Sequence, residues 1–222
     1  MSFVISDLWI SAGDDLSVGR FITFEGGEGV GKSTLVTAVA TSLSTLGIDP
    51  VRTREPGGVA LAEAIRDLVL FPPGQGDWDP MSRAMLMNAA RVEHLVDLIR
   101  PALKQGRWVL SDRFSDSTRV YQHIEGVGDT ELAMLERLTL SETRPDITFL
   151  LDAAPEALLD RRSQRGVVDA FEAKPISFHN AVRDAFLALA ECEPERVVRI
   201  DALQTPEQMC ANVMTEIKRR FL

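Results

Sequence analysis

The chain reads as an α/β domain built on a five-stranded parallel sheet with helices on both faces. Three observations predict this. Five short apolar segments alternate with stretches of helical periodicity, the order that a helix-covered parallel sheet requires. No internal repeat or low-complexity linker interrupts the alternation, and 222 residues suit one large domain. Polar residues (Glu25, Arg54, Asp112, Arg113 and Asp152) collect at the carboxyl ends of apolar segments, where such sheets place their ligands.

The first strand, Phe21-Ile22-Thr23-Phe24, runs through Glu25 into a glycine-rich turn and then a helix. Within the turn Gly26, Gly31, Lys32 and Ser33 fit the spacing G-x-x-x-x-G-K-[ST]. A loop that wraps a phosphate must aim several backbone N–H groups inward, and glycine reaches such conformations without steric cost. The following helix adds free N–H groups and the positive end of its dipole. Lys32 is thereby placed to reach the β- and γ-phosphates, and the Ser33 hydroxyl to ligate Mg²⁺. No G-x-G-x-x-G fingerprint occurs, so the loop is read as a mononucleoside triphosphate site.

Beyond the loop, Leu35, Val36, Val39, Leu43 and Leu46 recur at helical spacing, and Gly47 is placed to end that helix. A strand at Val51-Arg52-Thr53 leads into Arg54-Glu55-Pro56-Gly57-Gly58, a rigid turn ending in flexible glycines. A helix over about 61–70 and a loop at Pro72-Pro73-Gly74-Gln75-Gly76 follow. Pro80 opens a long helix over about 81–105, closed by Gly106. Its expected buried face is Met85, Leu86, Ala89, Ala90, Leu95, Leu98 and Ile99, with Arg91 and His94 as polar exceptions close to that face and Pro101 as a bend or break.

Arg107-Trp108-Val109-Leu110-Ser111 is a strand ending at Asp112-Arg113. Short helices over about 115–123 and 130–141 precede the strand Ile147-Thr148-Phe149-Leu150-Leu151. Pro155 starts a helix that runs into Arg161-Arg162-Ser163-Gln164-Arg165-Gly166, and a loop continues to Pro175. A helix over about 177–192, the strand Val197-Val198-Arg199-Ile200 and a helix over about 206–220 complete the chain. Residues 1–19 are read as an N-terminal extension and 20–222 as a single domain.

A balance of 24 basic against 33 acidic residues gives a net charge of −9, which argues against a polymeric nucleic acid partner. Cys192 and Cys210 lack metal-like spacing and read as thiols of a reducing compartment. No apolar run has transmembrane length and the first twenty residues lack a secretory signal, so the expectation is a cytoplasmic protein without a membrane partner.

Asp112 follows an apolar strand, the position from which phosphate-loop proteins hold Mg²⁺. Asp152 shares that context, and local pattern does not choose between them; a carboxylate capping a helix is the plainer reading of either. Arg54 and Arg113 suit a bidentate grip on a second phosphate, or surface salt bridges. Arg161, Arg162 and Arg165 suit a mobile segment that closes over transferring phosphates, or the solvated face of an amphipathic helix. His94, one turn from Arg91, reads as a structural hydrogen-bonding histidine.

Together these pieces resemble the bacterial thymidylate kinase family over about residues 20–218. Besides the loop, the resemblance rests on Thr53-Arg54-Glu55-Pro56-Gly57-Gly58, Ala89-Ala90-Arg91 with His94, and Asp112-Arg113-Phe114. It continues through Ser117-Thr118 with Tyr121-Gln122, and Pro145-Asp146-Ile147-Thr148 with Leu151-Asp152. It implies a three-layer P-loop kinase fold with a short lid at about 161–175, and phosphorylation of dTMP to dTDP with ATP and Mg²⁺ on the way to dTTP. It also implies a homodimer.

By the same resemblance Gly26, Gly27, Glu28, Gly29, Val30, Gly31, Lys32, Ser33 and Thr34 bind ATP, with Glu28 also on the sugar 3′-hydroxyl of dTMP. Arg54 and Arg113 hold the acceptor phosphate, with Ser33 and Asp112 at the metal. Arg91, Thr118 and Gln122 read the thymine edge, and Tyr121 presses on C2′ to disfavour ribose. Catalytic charge falls to Lys32, Arg113 and the lid arginines Arg161 and Arg165, because the loop lacks a basic residue between Gly27 and Val30, as in the bacterial subtype. Two positions depart from the family. Met87 stands where a phenylalanine usually stacks on thymine, which implies retained binding with looser base choice. The lid motif Asp-Arg-Phe/Ile-Glu stands as Asp169-Ala170-Phe171-Glu172, which leaves one phosphate contact to Arg165 or Arg162.

Met87 keeps a nucleoside or nucleotide kinase of different base preference in view, and Ala170 a catalytically silent nucleotide-binding paralogue. A GTPase switch is disfavoured, because none of Asn88, Asn180 and Asn212 opens an Asn-Lys-x-Asp guanine motif.

Overall fold

A computed structural model describes residues 18–74, 76–159, 171 and 173–222. The elements are β1 (Phe21–Glu25), α1 (Lys32–Thr45), β2 (Val51–Arg54), α2 (Ala60–Leu70) and α3 (Pro80–His94). A single π-helical turn, Leu95–Ile99, joins α3 to α4 (Arg100–Lys104). Then come β3 (Val109–Asp112), α5 (Ser115–Ile124), α6 (Asp129–Leu140), β4 (Ile147–Asp152) and a 3₁₀ turn at Pro155–Leu158. The chain closes with α7 (Ile176–Cys192), β5 (Val197–Asp201) and α8 (Pro206–Phe221).

The five strands form one parallel sheet in the order β2-β3-β1-β4-β5. β1 is buried throughout and central, so the loop that follows it opens between the carboxyl ends of β3 and β4. Side chains alternate across the sheet. Ile22, Phe24, Phe149 and Leu151 join α1 and α8 on one face, while Leu150 meets Tyr121, Val182 and Phe186 on the other. Each buried aromatic or aliphatic side chain contributes about 1.5–3 kcal/mol, and Phe24 and Phe149 meet with ring centres 5.6 Å apart. Among the described residues no helix is long and apolar enough to cross a membrane.

The long helix departs from expectation in two ways. Pro101 does not break it: the Arg100 N–H reaches back to the Leu95 carbonyl, and the widened turn makes room for a ring that cannot donate. The buried face is also different. Met85 is 55% exposed and Ala89 is exposed, whereas Arg83, Asn88, Arg91 and His94 are buried beside Ala84 and Ala90. Ala90, Leu95 and Ile99 are buried and Leu86 and Leu98 half-buried as expected, so apolar periodicity misplaced only Met85 and Ala89. The polar residues sit inside because their neighbours offer carboxylates, Asp77 and Glu125 to Arg83 and Glu55 to Arg91 and His94. Leu46, expected in the core, is exposed at the end of α1, where Gly47 (φ 83°) turns the chain away. The expected N-terminal extension lies outside the described residues up to position 17, and Pro155 opens one short turn.

Candidate active site

The loop after β1 needs glycine for a concrete reason. At Gly26 (φ 134°) an added Cβ would lie 2.4 Å from the Leu151 carbonyl oxygen, so the turn packs directly on β4. Lys32, the first residue of α1, curls back so that its ammonium donates to the carbonyls of Gly26 (3.1 Å) and Gly27 (2.8 Å). Burial, with the Arg113 cation nearby, pushes that ammonium down to about 8. Ser33 Oγ donates to Asp112 Oδ2 at 2.6 Å, which brings the first turn of α1 against the end of β3.

Asp112 and Asp152, indistinguishable by local sequence, are separated by their partners. Asp152 accepts from Arg183 (2.7 Å) and Arg199 (2.8 Å). Its partial burial works against ionisation, but those hydrogen bonds hold its carboxyl below the usual range. It is an ion-paired strand end, whereas Asp112 faces the phosphate loop. Hydroxyl and carboxylate oxygens are the hard donors that suit Mg²⁺, which takes few protein ligands and completes its shell with water and phosphate oxygens.

Arg113 sits between this loop and a pocket over α3 and α5. Its Nη1 donates to the Gly26 carbonyl (2.9 Å) and Ser117 Oγ (3.0 Å), and its Nη2 to Glu28 Oε1 (2.5 Å) and the Tyr121 hydroxyl (3.3 Å). Burial opposes its charge, but the Glu28 carboxylate overrides that and keeps the guanidinium ionised. The guanidinium carbon also lies 5.2 Å from the Tyr121 ring centre, and that ring meets Phe171 edge-on at 5.4 Å.

Arg91 forms the far wall. Its Nε donates to Glu55 Oε2 (2.8 Å), Nη1 to Asn88 Oδ1 (3.2 Å) and Nη2 to Thr118 Oγ1 (2.8 Å). His94, wholly buried, lies 3.0 Å from Glu55 Oε1 and 2.6 Å from Thr53 Oγ1. An added Cβ at Gly58 would strike Thr53 Oγ1 at 2.4 Å and His94 Nε2 at 2.6 Å, so the β2–α2 turn closes tightly over this pair. His94 thus orders the wall rather than facing the pocket.

The structure gathers Glu28, Met87, Arg91, Arg113, Thr118, Tyr121 and Gln122 around one pocket, joined by Glu55, Arg66, Ser117 and Phe171. Gln122 donates to Glu125 Oε2 (3.3 Å). Arg54 does not line it. That side chain is 55% exposed, donates to both Glu63 oxygens (2.9 and 3.1 Å) and lines a neighbouring cleft with Ser33 and Asp112. Arg161, Arg162, Arg165, Asp169, Ala170 and Glu172 lie outside the described residues. Sequence reasoning gave no role to the pocket-lining residues Glu55, Arg66 and Ser117, although Glu55 and Ser117 stand inside the motifs that carry the family resemblance.

A central glycine loop on a parallel sheet, with a second polar pocket one arginine away, defines a P-loop kinase fold. The thymidylate kinase family model matches residues 24–213. The thymidylate kinase of Chromohalobacter salexigens is 47% identical over 208 residues, covering 93% of this chain and 98% of that protein. That of Magnetococcus marinus is 45% identical over 206 residues, covering 91% and 97%. The crystal structure of thymidylate kinase from Ehrlichia chaffeensis superposes with a TM-score of 0.72 at 32% identity, covering 90% of this chain and 99% of that one. The chain belongs to the thymidylate kinase family.

Proposed function

We propose that this chain is an ATP-dependent thymidylate kinase that transfers the γ-phosphoryl group of ATP to dTMP, giving dTDP, with the following roles for its residues. Residues 26–34 hold the triphosphate and Lys32 neutralises its β- and γ-oxygens. Arg91, Thr118 and Gln122 read the base, Tyr121 and Glu28 flank the sugar, and Met87 covers the ring. One observation carries this division: Arg113 bonds both the loop carbonyl of Gly26 and the pocket residues Glu28 and Tyr121, so acceptor and donor phosphates converge on it. Arg54, across the Ser33–Asp112 cleft, meets the acceptor phosphate from the other side. Arg161 and Arg165, in a lid at 161–175 of a single domain 20–222, add charge as the phosphoryl group moves.

Ser33 and Asp112 would hold Mg²⁺. When bound, the ion would supply positive charge to offset that of the phosphates. Measuring ADP release with a panel of nucleoside monophosphates tests the assignment, and a clear preference for an acceptor other than dTMP overturns it.

A homodimer is part of this proposal. Met85, Val92 and Val96 recur at helical spacing on the exposed side of α3 and its π turn, with Val96 52% exposed. Val92→Glu with Val96→Glu should halve the mass measured by light scattering; an unchanged mass would remove the seam. We place the enzyme in the cytoplasm, a reading supported by Cys192 and Cys210 both being free thiols.

A further inference from the structure

Glu25 ends β1 immediately before the phosphate loop and is 1% exposed, yet none of the roles above uses it. Its Oε1 accepts the backbone N–H of Phe114 (2.7 Å) and of Ser117 (3.3 Å), and its Oε2 accepts the Ser117 hydroxyl (2.6 Å). Those two N–H groups belong to the start of α5, where a helix has no donors' partners of its own and where Phe114 supplies no side-chain cap. Glu25 therefore caps α5 from a different element, and its charge suits the positive end of that helix.

The second oxygen does another job. The Ser117 hydroxyl that donates to Oε2 itself accepts from Arg113 Nη1 at 3.0 Å. A directed relay runs from Arg113 through Ser117 and ends on the Glu25 carboxylate. Arg113 requires such holding: its φ of 70° lies in the left-handed region that side chains other than glycine rarely adopt. Three bonds fix that backbone. Its N–H donates to the Phe24 carbonyl (2.9 Å), its carbonyl accepts from Ser111 Oγ (2.7 Å), and the next N–H goes to Glu25.

We infer that Glu25 is a positioning residue for phosphoryl transfer, holding the Arg113 guanidinium at the junction of loop and pocket through Ser117 while it fixes the start of α5. The inference rests on the dTMP kinase reading. Burial, and then the Asp116 carboxylate, push Glu25 up to about 7, against the opposing pull of Arg113 and the Ser117 and Phe114 bonds. A carboxylate kept here despite that cost is consistent with a working role.

Two variants separate its jobs. In Glu25→Gln the amide oxygen still accepts both N–H groups, whereas the amide nitrogen donates towards Ser117 and reverses the relay. Ser117→Ala deletes the relay and leaves both N–H bonds in place. Each should lower kcat/KM for dTMP by about 10- to 100-fold, with KM for ATP within about twofold. Melting temperatures should stay within about 5 °C of wild type. The double variant should be no worse than the more damaged single one, because both cut one chain. Wild-type kinetics in both variants, or losses that multiply, would overturn the inference. So would a Glu25→Gln protein that merely loses folded yield beside a kinetically normal Ser117→Ala. A wild-type enzyme that fails on dTMP removes the kinase reading and this inference together; an active wild type with insensitive variants removes the inference alone.

Discussion

The donor loop and the acceptor pocket are built on opposite plans. The loop is made of backbone. The nine consecutive residues proposed to hold the triphosphate, 26–34, include one lysine, whose ammonium donates to the Gly26 and Gly27 carbonyls of the same loop. The pocket is made of side chains from α2, α3 and α5 and from the segments after β1, β2 and β3, with Phe171. The arginine proposed to read the base is also a structural ion: Arg91 is buried against Glu55, Asn88 and Thr118. Function and stability are therefore separable on the donor side and fused on the acceptor side.

Lys32→Ala puts the first half of that contrast at risk. It should lower kcat by about 100- to 1,000-fold while the urea midpoint stays near wild type, since no other element loses a partner. A large loss of stability would break the comparison. Arg91→Ala tests the other half. Removing one member of a buried pair leaves the Glu55 carboxylate with His94 but without its guanidinium partner, at a cost of about 3–5 kcal/mol, so the urea midpoint and dTMP binding should fall together. A stable, folded Arg91→Ala enzyme with only a raised KM would show that the pocket is not structural after all.

A pH titration sharpens the donor side. A lysine pushed down to about 8 loses its charge as pH rises through that value, so ATP affinity should weaken above pH 8. In stability the sign is the reverse. The folded protein sheds this proton at lower pH than the unfolded chain, so the group adds stability as pH rises from about 8 towards 10.5 and withholds it below. An ATP affinity that stays flat to pH 9.5 would contradict the depressed ammonium. The smallest effect belongs to the acceptor side. Met87→Phe replaces a half-buried thioether with a stacking ring worth about 0.5–1.5 kcal/mol, so KM for dTMP should fall about 2- to 10-fold. An unchanged KM together with unchanged selectivity against other bases would mean that position 87 does not touch the ring.

The same contrast explains what could be read from the chain. The loop was legible because its pattern is contiguous: glycine spacing, Lys32 and Ser33 fall within one short stretch, although Ser33 meets Asp112 from the end of β3. The sheet was legible because Phe21–Glu25, Ile147–Asp152 and their companions are apolar runs between helical ones. The pocket's wall was legible only in part: Arg91 and His94 stood out as polar exceptions beside the apolar face, and His94 is the structural hydrogen-bonding histidine expected, but Arg83 and Asn88 gave no signal. Arg83, Asn88, Arg91 and His94 are polar by type and buried by circumstance, and only their meeting with Glu55, Glu125 and Thr118 makes that burial tolerable. An apolar template therefore sent Met85 and Ala89 inward, where the structure has Arg83 and Asn88. The place of Arg54, beside the Ser33–Asp112 cleft rather than beside Arg113, likewise depends on Glu63, nine residues further along.

The Glu25 cap also has a consequence for the order of assembly. Its bonds to Phe114 and Ser117 join positions 89 and 92 apart in the chain, while Arg91 reaches Glu55 across 36. Closing such distances costs chain entropy before any bond repays it. A nascent chain cannot complete the pocket until α5 has emerged, although the residues of the phosphate loop have long been present. On the proposed assignment, dTMP bound in the completed pocket at about 100 times its dissociation constant adds about 2.7 kcal/mol, drawn from segments that meet only in the finished fold.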